Sequence, residues 1–151
     1  MDTIRQILDH KGNVIHYVTP DTTVYDALIL MADKNIGAVL VLQEGKIFGI
    51  MSERDYARKI VLKGKFSKEV PVKEIMSSEV IVIDIDQSVE DAKAIMINKR
   101  IRHLPVMKGE KLEGIISIGD VVNAVLANND MMIDQLITYI KGVPETHLDK
   151  K

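Results

Sequence analysis

One short motif carries the chemistry this chain can do, and the chain states it twice. Gly49-Ile50-Met51-Ser52-Glu53-Arg54-Asp55 returns as Gly114-Ile115-Ile116-Ser117-Ile118-Gly119-Asp120, with glycine, serine and aspartate each displaced by 65 residues. A β-prone stretch precedes each serine and a helical stretch follows it. Backbone N–H groups at a helix start, together with a serine hydroxyl, can meet a phosphate or a sugar. An aspartate one turn later offers two acceptor oxygens, which suits the paired hydroxyls of a ribose. The same spacing has a purely structural reading, because Ser-x-x-Asp is also a helix capping box. Thr23-x-x-Asp26 and Ser88-x-x-Asp91 repeat that spacing before other helices and are read as caps alone.

The elements that must position the motif follow the same repeat. Upstream of it Asp21 pairs with Asp86, Val24 with Val89, Ala27 with Ala92, Met31 with Met96, Ile36 with Ile101 and Val41 with Val106. Each copy is therefore one supersecondary unit. In the first, Val14 to Val18 is β-prone, and Val24, Ala27, Leu28 and Met31 share a helical face. Ala38 to Leu42 and Lys46 to Met51 flank a Glu44-Gly45 turn and read as a hairpin. A second helix follows with Tyr56, Ala57, Ile60 and Val61 inward; its twin offers Val121, Val122, Val125 and Leu126. The order strand-helix-strand-strand-helix makes this an α/β (α+β) chain. The expected boundaries are 8–62 for the first copy, 63–75 for a polar surface linker and 76–128 for the second copy. A C-terminal helix over 129–142, stopped by Gly142 and Pro144, and a flexible tail over 143–151 complete the chain. Thr3 to Leu8 reads as a short helix.

Composition narrows the function classes. With 151 residues and 46% hydrophobic content the chain can bury one core, whereas a single copy of roughly 50 residues would be marginal alone. A net charge of −2 gives no global pull towards nucleic acid or an anionic membrane. No apolar run approaches a membrane span of ~18 residues, and Met1 to Gln6 lacks the pattern of a signal peptide, so a cytoplasmic protein is expected. Without cysteine there are no disulfides, thiol nucleophiles or thiolate metal sites. His10, His16, His103 and His147 make no metal-ligand spacing, and no phosphate-binding Gly-Lys-Ser/Thr loop occurs. Asp84 and Asp86 are explained by strand alternation and a helix start. Nothing pairs a nucleophile with a base at recognisable spacing, and the expectation is no catalytic cofactor and no metal.

A basic stretch runs through Arg54, Arg58, Lys59, Lys63, Lys65, Lys68 and Lys73, interrupted by Glu53, Asp55 and Glu69. As a solvated face it needs no further role. Its place beside Ser52 and Asp55 also lets it reach the outer phosphates of a nucleotide. Nucleic-acid contact is disfavoured, since only Tyr56 and Phe66 are near enough to stack.

Two tandem copies, each closing on Gly-hydrophobic-x-Ser-x-x-Asp, resemble the cystathionine-β-synthase (CBS) domain pair, or Bateman module, over about Val14 to Ala127. Ser52 to Lys59, reading Ser-Glu-Arg-Asp-Tyr-Ala-Arg-Lys, resembles the small stand-alone pairs of bacteria and plant organelles. The resemblance implies two copies related by a pseudo-twofold axis, a flat homodimer, and sensing of adenosine nucleotides rather than turnover. AMP stands first among the implied ligands, with ATP, NADH and S-adenosylmethionine as alternates. It further implies that Asp55 and Asp120 hold ribose hydroxyls and that Ser52 and Ser117 approach ribose or phosphate, with Arg54 in the same motif. Family sites are composite, so Asp55 is expected with Val80, Ile81, Ile101 and Arg102, and Asp120 with Ile15, His16, Ile36 and Gly37. Ile101-Arg102-His103-Leu104-Pro105 stands where relatives place phosphate ligands, which favours the Asp55 site and leaves the Asp120 site in question. Arg102 brings a fork of donors, and His103 is expected to gain charge through its ordinary pH range. The implied partners are a nucleotide, a second copy and an unidentified regulated protein, with no membrane. The alternatives are a structural dimerisation module or a nucleic-acid-binding module without a nucleotide ligand.

Overall fold

The computed structural model describes residues 2–141; the expected helix stop at Gly142 and Pro144, the tail and His147 lie outside them. The chain divides into two compact units. One is Val14–Ile81, the first copy; the other joins Met1–Asn13 to Val82–Lys151 and holds the second copy.

In the first-copy unit, Thr23 caps helix α2 (Val24–Lys34) by accepting the Asp26 N–H, and Val24, Ala27 and Met31 turn into the core. The helix ends on Asn35 in the left-handed region, φ 54°, a conformation asparagine tolerates. Strands β2 (Ala38–Gln43) and β3 (Lys46–Ser52) form the expected hairpin, with β1 (Tyr17–Val18) parallel to β2 on its other edge. Glu44 and Gly45 both take positive φ, 52° and 76°, which matches the strands' twist. Strand β1 is shorter than the Val14–Val18 run suggested: only two residues pair with β2, and Val14 is exposed.

The motif helix α3 (Glu53–Tyr56) widens into a π-helical turn over Ala57–Val61. The wide turn breaks the 3.6-residue period on which the inward face was reckoned. Ile60 is buried and Tyr56 packs against the core, but Ala57 and Val61 are exposed. The linker also departs from a surface path. Val70, Val72 and Ile75 are buried, and backbone bonds from Val24 N–H to Val70 O and from Val72 N–H to Thr22 O stitch the segment to the start of α2. Apolar residues at 70, 72 and 75 outweigh the polar composition around them.

The second-copy unit repeats this plan. Ser88 caps α4 (Val89–Lys99), which buries Val89, Ala92 and Met96 and ends on left-handed Arg100. Strands β4 (Ile83–Asp84), β5 (His103–Lys108) and β6 (Lys111–Ser117) pair as β1, β2 and β3 do, including a register shift at the equivalent place. The N-terminal helix α1 (Ile4–Lys11) belongs to this unit. Thr3 and Gln6 form its capping box, and Ile4, Ile7 and Leu8 are buried. Val89 N–H bonds to Asp2 O, as Val24 N–H bonds to Val70 O in the first copy, so the N-terminal segment and the linker do equivalent work.

Beyond β6 the expected motif helix and the separate C-terminal helix are one continuous α5 (Ile118–Lys141). No glycine or proline lies between Asp120 and Lys141 to interrupt it. Val121 and Ala124 are buried, whereas Val122 and Leu126, expected inward, are exposed. Among the described residues no helix is long and apolar enough to cross a membrane.

Candidate functional site

Both motifs sit where the hairpin's second strand hands over to a helix. At the first, Ser52 N–H donates to Asp55 Oδ2 (2.9 Å), Ser52 Oγ–H donates to the same oxygen (3.1 Å), and Asp55 N–H donates to Ser52 Oγ (3.1 Å). At the second, Ser117 N–H donates to Asp120 Oδ2 (2.8 Å) and Asp120 N–H to Ser117 Oγ (3.2 Å). Both serine–aspartate pairs are therefore formed capping boxes. The first helical N–H is also committed: Glu53 N–H reaches Gly37 O (3.1 Å) and Ile118 N–H reaches Arg102 O (2.8 Å). The N–H groups expected to meet an anion are thus partly spoken for.

Each motif aspartate also holds an ammonium. Lys59 Nζ lies 3.2 Å from Asp55 Oδ1 and donates to Ile75 O at 2.9 Å. Lys11 Nζ lies 2.7 Å from Asp120 Oδ2 and donates to Ile115 O at 3.0 Å. The carboxylates are largely covered, with side-chain exposures of 18% for Asp55 and 21% for Asp120. Burial alone would raise the Asp120 pKa, but the Lys11 and Ser117 hydrogen bonds and the Lys11 charge outweigh it and hold the carboxyl below its ordinary value. The third Ser-x-x-Asp box, Ser88 and Asp91, is different: Asp91 is exposed and forms no ion pair among the described residues.

Within the first-copy unit lie Ile15, His16, Ile36, Gly37, Ser52, Arg54, Asp55, Val80 and Ile81. Gly37 is joined to the motif through Glu53, and Ala38 stands opposite Ser52 in the β2–β3 register. Val80 and Ile81 follow a bridge between Ile50 and Ser77 and are half-buried, as are Ile15, His16 and Ile36; Arg54 is exposed. Within the second-copy unit lie Ile101, Arg102, His103, Pro105, Ser117 and Asp120. Backbone pairing sets His103 opposite Ser117 and Pro105 opposite Ile115, and puts Arg102 where the first copy has Gly37. The arginine–histidine step thus stands beside the motif of its own unit.

The His103 pKa lies below its ordinary value. Burial lowers its pKa, and the charges of Lys11 and Arg102 push the same way against the weaker pull of Asp120. The expectation of charge gained near neutrality is corrected accordingly.

The motif glycines serve close approach. A Cβ on Gly49 would come within 2.8 Å of Ser77 O, and one on Gly114 within 2.9 Å of Leu8 Cδ2. Sequence reasoning missed Lys11, which is 109 residues from Asp120. It met Lys59 only as part of a basic run, although a lysine four residues after a motif aspartate on a helix is a readable signal.

Two units built on one strand-helix-hairpin-helix plan, each presenting a covered serine–aspartate pair at the hairpin's end, define a duplicated α+β module. The family model for the CBS domain matches residues 4–62 and 72–127, and the chain belongs to the CBS domain family. It is 38% identical over 149 residues to the mitochondrial CBS domain-containing protein CBSX3 of Arabidopsis thaliana, covering 93% of this chain and 72% of that protein. It is 33% identical over 122 residues to the CBS domain-containing protein YhcV of Bacillus subtilis, covering 81% and 86%. Among solved structures, a CBS-domain protein from Burkholderia ambifaria aligns at a TM-score of 0.81 and 49% identity over 83% of this chain and 94% of that one. The fold is shared at a TM-score of 0.73 and 21% identity with the CBS pair of protein MJ0100, solved with 5′-methylthioadenosine and S-adenosyl-L-methionine; 83% and 97% of the chains are covered.

Proposed function

We propose that this chain is an adenosine-nucleotide-binding regulatory module, not an enzyme, in which Asp55 and Asp120 take ribose hydroxyls. AMP is the ligand favoured, with ATP and NADH as alternates, and an unidentified cytoplasmic protein reads the ligand-bound state. One observation carries the reading. Of three formed Ser-x-x-Asp boxes, only the two in the repeated motif have covered aspartates that also bind an ammonium. A cap needs neither cover nor counter-charge. Support in kind comes from the MJ0100 pair, a protein of the same fold that holds two adenosine compounds. A ligand shifts the protein only if it prefers one of its conformations, so ribose binding must change what the motif lysines and helix starts contact.

A ligand at 100 times its Kd raises stability by about 2.7 kcal/mol. Calorimetric melting against AMP, ADP, ATP, NADH and S-adenosylmethionine tests this directly. A rise with an adenosine ligand, lost when Asp55 and Asp120 are both replaced by alanine, supports the reading. The formed capping boxes favour one rival, a structural module in which serine and aspartate only cap; there no nucleotide moves the melting temperature. Product formation from ATP or NADH that disappears in the same variants would instead make the chain an enzyme.

A second copy of the chain is proposed as partner through α5. Val122, Leu126, Asn129, Ile133, Leu136 and Ile140 follow one another in alternating four- and three-residue steps, and all are exposed. That is the spacing of a helix-to-helix seam, with isoleucine and leucine alternating along its outer half. A seam of this kind predicts a dimer by sedimentation that Leu136→Asp dissociates; a monomeric wild type would overturn it.

A further inference from the structure

Resting on the ribose reading of Asp55 and Asp120, we propose that Lys59 and Lys11 make the two motifs selective for ribonucleotides that carry a phosphate. The two lysines are not equivalent in the repeat. The counterpart of Lys59 in the second copy is Ala124, fully buried, and on the register that pairs Asp2 with Val70 and Leu8 with Met76 the counterpart of Lys11 in the first copy is Glu79. Yet in both copies an ammonium meets the motif aspartate and is tied to a backbone carbonyl: Lys59 faces Asp55 Oδ1 and donates to Ile75 O of the linker, and Lys11 donates to Asp120 Oδ2 and to Ile115 O of β6. Different elements supply the two ammonium groups: the π-helical turn after α3 carries Lys59, and the last residue of α1 is Lys11.

A ribose diol needs both carboxylate oxygens of its aspartate. Asp120 Oδ2 already accepts Ser117 N–H and Lys11, and Asp55 Oδ1 faces Lys59 while Oδ2 accepts from Ser52. The diol therefore displaces the ammonium from the carboxylate. Each lysine stays tethered by its carbonyl bond, with a donor left over and its counter-charge taken up elsewhere. A phosphate on the incoming ligand restores an anionic partner; an uncharged 5′ group does not. S-adenosylmethionine is worse still, because its sulfonium puts a cation where the phosphate would stand and its carboxylate lies beyond three further carbons. In the second copy the charges of Lys11 and Arg102 both reach neutral His103, so a third cation meets repulsion there. The expected order is AMP over adenosine and 5′-methylthioadenosine, with S-adenosylmethionine last.

Isothermal titration of AMP, adenosine, 5′-methylthioadenosine and S-adenosylmethionine into wild type, Lys59→Met, Lys11→Met and the double variant tests the assignment. Methionine keeps the aliphatic stem and removes the charge. In wild type AMP should bind at least about tenfold tighter than adenosine, the worth of one charge-assisted hydrogen bond. In the double variant that preference should shrink to about twofold, through weaker AMP and unchanged or tighter adenosine binding, and raised salt should erode it in wild type. Equal wild-type affinities for AMP and adenosine, or a preference that survives in the double variant, would sink the lysine assignment while leaving the ribose reading standing. S-adenosylmethionine binding tightest overturns it as well. Binding of none of the four overturns both.

Discussion

Asparagine at positions 55 and 120 separates two roles that alanine confounds. Asp55 accepts the Ser52 N–H at 2.9 Å and faces Lys59 at 3.2 Å. Alanine removes the carboxylate half of the box and leaves the Ser52 N–H without its acceptor, about 1 kcal/mol, while Ser52 Oγ still accepts the residue-55 N–H; it also removes the lysine pair, a few tenths because the ammonium is nearly half exposed. Asparagine keeps a carbonyl oxygen for the Ser52 N–H and gives up only the charge. For a chain of this length 1 kcal/mol moves the melting temperature by about 2–4 °C. Each alanine variant should thus melt about 3–5 °C below wild type, and each asparagine variant within about 1–2 °C. Ligand response should divide them differently. Asparagine offers the diol one acceptor and one donor where it needs two acceptors, and the loss of a charge-assisted bond weakens binding by about 10- to 100-fold. With AMP at 100 times the wild-type Kd, stabilisation should fall from about 2.7 kcal/mol to between about 0.4 and about 1.4 kcal/mol in the Asp55→Asn, Asp120→Asn double variant. Differential scanning calorimetry is the assay, because the chain has no tryptophan to report optically. A double asparagine variant that keeps the full AMP rise would refute the assignment of the carboxylates to ribose.

Three further outcomes follow from the fold. Gly49→Ala should cost about 2–3 kcal/mol in urea unfolding and Gly114→Ala about 1 kcal/mol, since the first Cβ meets the backbone oxygen of Ser77 and the second the movable end of Leu8; equal costs would mean the linker yields as easily as a leucine. Arg100 holds φ 55° at the end of α4, so Arg100→Gly should raise stability by about 0.5–1 kcal/mol in the same assay, and a loss would show its side chain outweighs the strain. His103 has a lowered pKa in the fold, so on acidification the unfolded chain takes its proton first, and stability should fall as pH drops below about 6.5, by at most about 1.4 kcal/mol per pH unit. His103→Gln should flatten that slope in melting curves from pH 7.5 to 5; an unchanged slope would place the titration elsewhere.

What was legible in the sequence was what the backbone repeats. The caps at Thr23 and Ser88, the inward positions of α2 and α4, and the Glu44-Gly45 hairpin depend on spacing over a few residues, and all have the form that spacing predicts. Errors arose where a local period met a tertiary contact. Val61 points outward because α3 widens into a π-helical turn, and Val70 and Val72 are core because they dock on the start of α2, though their neighbours are polar. The unbroken α5 was readable from its lack of glycine and proline, but the end of the repeat suggested a boundary that the helix ignores.

The motif shows the same division at the level of chemistry. Duplication carried the serine–aspartate box into both copies at fixed spacing, so the sequence displays it at once. It did not carry the ammonium. One copy takes its lysine from four residues along its own helix, and the other takes it from a helix 109 residues away, while the position that holds Lys59 in the first copy is a buried alanine in the second. Repetition therefore locates a shared scaffold and its carboxylate, whereas the charge proposed to discriminate between ligands is set by which element packs against each motif. If the two motifs differ in affinity, the difference should track Lys11 and Lys59 and not the serine–aspartate pairs, because those pairs are nearly superposable in their bonding and the lysines are not.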